Sequence, residues 1–161
     1  MSYPSFELAG RELELERLVL IVVGAHIRAE VADRPLAYQL RDTMLRWMQD
    51  NLRPTESELT PIDIVVCSDV WWINNDGFRE RPTVSIGGPG VNALSAYMGD
   101  KVPSAFVVDD SYMVQMDVEL TDLWVCLWGM NHETTLTAVD TFVERYLDSF
   151  MRAVLRRVES A

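Results

Sequence analysis

Apolar residues in this chain follow two spacings. Short runs of adjacent apolar residues alternate with longer stretches in which apolar positions recur every three or four residues. The first run, from Arg17 through Leu-Val-Leu-Ile-Val-Val to Gly24, is β-branched and closed by glycine, and reads as a buried strand. A helix is expected from about Asp33 to Asn51, with Asp33 as its cap and Pro35 in its first turn. Leu36, Leu40, Met44, Trp47 and Met48 then share one face. Asn51 to Pro61 is the most polar stretch and reads as a loop.

Ile62 to Cys67 predicts a second strand and Thr83 to Ile86 a third. The connection between them, Ser68 to Arg81, holds Trp71, Trp72 and the turn signal Asn75-Asp76-Gly77. The third strand runs into Gly87-Gly88-Pro89-Gly90-Val91-Asn92, and a short helix fits Val91 to Met98. Ala105 to Val108 and Tyr112 to Val118 predict two strands joined by a turn at Asp109-Asp110-Ser111. Leu123 to Trp128 is the last strand. One long helix from near Asn131 to about Val158 follows, with a stripe that includes Leu136, Val139, Val143, Leu147, Phe150 and Val154.

This order predicts one α/β domain over residues 1–161: a layered, mixed, mainly parallel sheet with helices on both faces and a long C-terminal helix. The strands followed by helices are expected to run parallel, and the closely spaced last three to pair as antiparallel hairpins.

Composition narrows the function classes. The 161 residues are 48% hydrophobic and 24% charged, the usage of a globular chain and not of a disordered one. The longest apolar run, Leu18 to Val23, is far short of the ~18 residues of a membrane span. Residues Met1 to Arg17 carry Glu7, Glu12, Glu14 and Glu16, unlike the basic and then apolar start of a secretory signal. A net charge of -11 argues against a nucleic-acid partner. Cys67 and Cys126 both lie in apolar strands, which fits a reducing, cytoplasmic setting. The aromatic content, with Trp71 and Trp72 in a loop, suggests a homodimer that covers apolar surface.

In open α/β sheets, ligands bind beyond the carboxyl ends of the strands. The residues expected there are His26 and Arg28 after the first strand, Ser68 and Asp69 after the second, Gly87, Gly88, Gly90 and Asn92 after the third, and Asn131 and His132 after the last. Both histidines of the chain are among them. Glycines in the Gly87–Asn92 turn permit positive φ and close approach, and the amides of Gly90, Val91 and Asn92 are expected to point at an anion or an oxygen-rich ligand. The turn lacks the Gly-Lys-Ser/Thr of a Walker loop and the glycine spacing of a dinucleotide fingerprint, so no cofactor is assigned.

A strand followed by Gly87-Gly88-Pro89-x-x-Asn92, and later a strand, Gly129, Thr135 and a helix carrying Ala138-Val139, resembles a domain of archaeal S-layer proteins. The resemblance covers the second half of the chain and implies a strand–turn–helix unit of that type. It carries no implication of a place in a cell envelope.

Three functions fit these features: a domain that binds a small ligand or nucleotide at the glycine turn, a small hydrolase or transferase using His26, Cys67 or His132, and an oligomerisation domain whose glycine turns are structural. A zinc set of His26, Cys67, Asp69 and His132 has the right ligand types but no paired short spacing.

Overall fold

A computed structural model describes residues 5–8, 10–53 and 62–159. Most of the polar stretch expected as a loop, 54–61, therefore lies outside the described residues. An N-terminal hairpin, β1 (Ser5–Leu8) and β2 (Arg11–Glu14), precedes β3 (Leu18–Val23) and α1 (Ile27–Asn51). β4 (Asp63–Ser68) leads into the short α2 (Asp69–Ile73), and β5 (Thr83–Ile86) leads into the short α3 (Ala93–Met98). β6 (Ser104–Val108), β7 (Tyr112–Met116) and β8 (Trp124–Gly129) follow, then α4 (His132–Arg145) and α5 (Leu147–Glu159).

The main sheet is mixed, with six strands in the order β4-β3-β5-β8-β7-β6. β4, β3, β5 and β8 are joined by parallel pairing, whereas β7 runs antiparallel to both β8 and β6. The hairpin pairings expected of the last three strands are present. The turn between β6 and β7 falls at Asp110, whose φ is 59°, with Ser111 N–H donating to the Val108 carbonyl.

β3 explains the layering. All six of its residues are fully buried, so neither face can meet water. Val19, Ile21 and Val23 join a core supplied by α1, α4 and α5, including Leu40, Met44, Phe142 and Phe150. Leu18, Leu20 and Val22 join a smaller core of Leu13, Trp72, Phe78, Leu94 and Met98. The three long helices thus gather on one face, and short segments cover the other.

Three expectations about helices are corrected. α1 begins six residues before Asp33, because His26 Nδ1 accepts the Arg28 N–H at 3.2 Å and the His26 carbonyl takes the Glu30 N–H at 3.0 Å. Pro35 consequently lies inside the helix, where its ring nitrogen offers no donor to the Val31 carbonyl. The long C-terminal helix is interrupted at Tyr146, with φ −127° and ψ −17°. Residues eight apart on a straight helix are ~12 Å apart along its axis. The bend lets the Phe142 and Phe150 rings meet edge to face at 5.6 Å.

The Trp71–Trp72 pair is not an exposed loop patch. Both lie in α2, where Trp72 is 1% exposed and donates from Nε1 to Thr83 Oγ1, while the half-buried Trp71 lies against Phe78. Among the described residues no helix is long and apolar enough to cross a membrane.

Candidate functional site

A cleft of about 440 Å³ opens at the carboxyl ends of β5 and β8. One wall is the first part of α1, with Arg28, Ala32 and Asp33. The second is the glycine turn, Gly88 to Val91. The third runs from Trp128 through Asn131 and His132 to Thr135. The volume is within the ~300–1,000 Å³ range of small-molecule sites.

The expected site residues divide into two groups. Gly88, Gly90, Asn131 and His132 line the cleft, and Gly87 lies directly beneath it, against Asp33. His26, Ser68, Asp69 and Asn92 are used by the protein itself. His26 caps α1 and Ser68 caps α2 by accepting the Trp71 N–H. Asp69 is buried and bridges three segments, accepting the amides of Ala25 at 3.0 Å, Val70 at 2.8 Å and Ala93 at 2.7 Å.

Asn92 is the N-cap of α3, which begins at Ala93 and not at Val91. Its Oδ1 accepts the amides of Leu94 and Ser95, and its Nδ2 faces the carbonyls of Val22 and Ile86 and the Ser85 hydroxyl. The amides of Val91 and Asn92, expected to be free for a ligand, both donate to the Gly88 carbonyl. The start of α3 is therefore capped from within, by Asn92 and Asp69.

Close approach explains two glycines. A Cβ on Gly24 would overlap the Val91 carbonyl oxygen, so this residue lets the end of β3 pass beneath the turn. Gly87 has φ +108°, and a Cβ there would lie 2.6 Å from Asp33 Oδ2. Gly88, by contrast, has ordinary φ, and a Cβ on it would meet Trp128 at 3.4 Å.

The side chain that sequence reasoning misplaced is Asp33. It is 6% exposed and lines the cleft, and no hydrogen-bond donor among the described residues meets its carboxyl. Burial pushes its pKa up to about 6, against a smaller downward pull from His132 across the cleft. The signal was present in the spacing. Asp33 is four residues after Ala29 and three before Leu36, on the apolar face of α1, and its place two residues before Pro35 suggested a cap instead. Arg28, expected beyond the first strand together with His26, lies there. It is exposed at the cleft wall, one turn before Ala32.

His132 is the first residue of α4, whose cap is Asn131. Asn131 Oδ1 accepts the Thr134 N–H at 2.9 Å, and the Thr134 hydroxyl accepts the Asn131 N–H. His132 does not meet His26 or Cys67 in the cleft. Cys67 is buried in the smaller core, and burial pushes its thiol up to about 12. Among the described residues no three His, Cys, Asp or Glu side chains come together as a metal-holding group.

No family model, curated protein or solved structure matches the chain.

Proposed function

We propose that the protein binds a small anionic ligand in the cleft at the carboxyl ends of β5 and β8. Arg28 and His132 meet the negative charge, and Gly88 to Gly90 lie along the ligand. The observation that carries this reading is the placement of two basic side chains, each from the first turn of a long helix, in one concave site of a chain with net charge -11. The retained buried carboxyl of Asp33 adds support, because such a group costs stability and is typical of sites that bind or react. The glycine turn contributes as a wall, since its second half is committed to capping α3.

The test is calorimetry and thermal shift with simple carboxylates, inorganic phosphate and nucleotides. A ligand that stabilises the native protein and fails to stabilise Arg28→Ala/His132→Ala supports the reading. Equal stabilisation of both proteins, or none of either, removes it.

A catalytic role has one supporting observation. A carboxyl with a pKa of about 6 exchanges protons near neutrality, the property of a general acid–base. That reading places the chemistry on Asp33 and His132 instead of Cys67. Self-association is supported by Ile27 and Val31, each 75% exposed on α1, and Met130, 70% exposed at the cleft. Light scattering decides between one copy and two. The two free, buried cysteines and the acidic charge support a reducing compartment and a protein that does not bind nucleic acid.

A further inference from the structure

The anion reading leaves the floor of the cleft unexplained. Arg28 and His132 suit an acid, but Asp33 repels one whenever both are ionised. Asp33 is 6% exposed as a residue, and its carboxyl lacks a hydrogen-bond donor among the described residues while its oxygens border the cleft. Gly87 leaves the space that the carboxyl occupies. Of the charged groups nearby, Glu30 and Arg34 pair with each other at 2.7 Å, leaving Arg28 and His132 to face the cleft.

We infer that the ligand carries a protonated amine as well as an acid, the amine seated on Asp33 and the acid on Arg28 and His132: a zwitterion of amino-acid type. This rests on the anion-binding reading above and narrows it. An ammonium group brings three donors and a direct opposite charge to a carboxylate that has no donor and only the weaker pull of His132 across the cleft, whereas a hydroxyl brings one donor and no charge. Arg28 and Asp33 both line the cleft from α1, and His132 lines it from α4, so the acid and the amine of one small ligand face both charges.

The test compares the common amino acids with their matched 2-hydroxy acids and with inorganic phosphate, at pH 7.5, by ligand-observed NMR and calorimetry on the full chain. At least one amino acid is expected to bind, with its 2-hydroxy counterpart at least tenfold weaker. Asp33→Asn is expected to weaken the amino acid at least tenfold and to leave the hydroxy acid unchanged or tighter. Should that variant fail to fold, the comparison on the native protein decides alone. Equal binding of amino and hydroxy acids overturns the amine and leaves the anion reading standing, as does binding confined to hydroxy acids or phosphate. If none of the three classes binds, the amine is overturned, and the nucleotide arm of the earlier test decides the anion reading.

Discussion

The carboxyl of Asp33 lies over Gly87, where a single added carbon would stand 2.6 Å from its Oδ2. An acid from the interior of one helix and a glycine from the end of a central strand thus share one small volume at the floor of the cleft. The fold tolerates a desolvated charge at that point.

That charge makes stability depend on pH. The folded pKa of Asp33, about 6, is above its ordinary value of 3.8, so the folded state holds a proton that the unfolded state has released. The contribution of Asp33 therefore favours folding more as pH falls from 7 toward 4, and that advantage is lost as pH rises through 6. Asp33→Asn is expected to be more stable than the native protein at pH 7.5 by about 1–2 kcal/mol, below the full value of a two-unit shift because the group borders an open cleft. The gap should narrow toward pH 4.5. Urea titrations at the two pH values check this, and a gap independent of pH contradicts it.

Gly87→Ala should destabilise the protein by about 1–3 kcal/mol, since it combines positive φ with a collision against Asp33. Gly90→Ala should change stability by less than ~0.5 kcal/mol, because a Cβ there meets open space. The pair of melting curves separates a glycine that the backbone requires from one that it does not.

Asn92→Ala should cost about 2–4 kcal/mol. It strips the cap from α3 and leaves the buried carbonyls of Val22 and Ile86 without the Asn92 donor. Asn92→Asp should also destabilise, because a carboxylate keeps the cap but cannot donate to those carbonyls. Denaturant unfolding of both variants measures this, and an Asn92→Asp protein as stable as wild type would contradict the assigned roles of Nδ2.

Cys67 and Cys126 should resist alkylation in the folded protein. Burial holds their thiols at about 12 and about 11, so almost no thiolate is present at pH 8. Mass spectrometry after iodoacetamide treatment should find no adduct without denaturant and two with it. A rapid single adduct on Cys67 in the native protein would revive a nucleophilic role.

The strands were readable where burial on both faces made them continuously apolar, as in Leu18 to Val23, or where β-branched residues ran into a glycine turn, as in Thr83 to Ile86. Their parallel pairing followed from the helices after them, but their order did not, because no local pattern records which strand lies beside β3. The N-terminal hairpin escaped notice because β2 reads Arg-Glu-Leu-Glu and buries only Leu13. At the cleft, glycines and chain ends were legible as a place, while the roles of the side chains were not. Asp69 and Asn92 sit at strand ends like ligand-binding groups, yet Asp69 accepts the distant amides of Ala25 and Ala93, and Asn92 accepts the amides at the start of α3 and donates to the distant Val22 carbonyl. The cap of α1 comes from His26, an uncommon capping residue, and that displaced Asp33 from the end of the helix to its buried interior.

The β6–β7 turn reaches the same edge of the sheet as the cleft, and Met130 N–H donates to the Ser111 carbonyl across that junction at 2.9 Å. A smaller hollow of about 180 Å³ lies beside the turn, and Trp128 and Met130 border both spaces. Those two side chains are a partition. The tip of the hairpin, Asp109 and Asp110, is exposed and outside the core, so its length can change without repacking any strand. Shortening the Met130 side chain opens that partition toward the second hollow, and a longer hairpin tip extends the rim of the same edge, so the size of molecule accommodated there is set by residues outside the core.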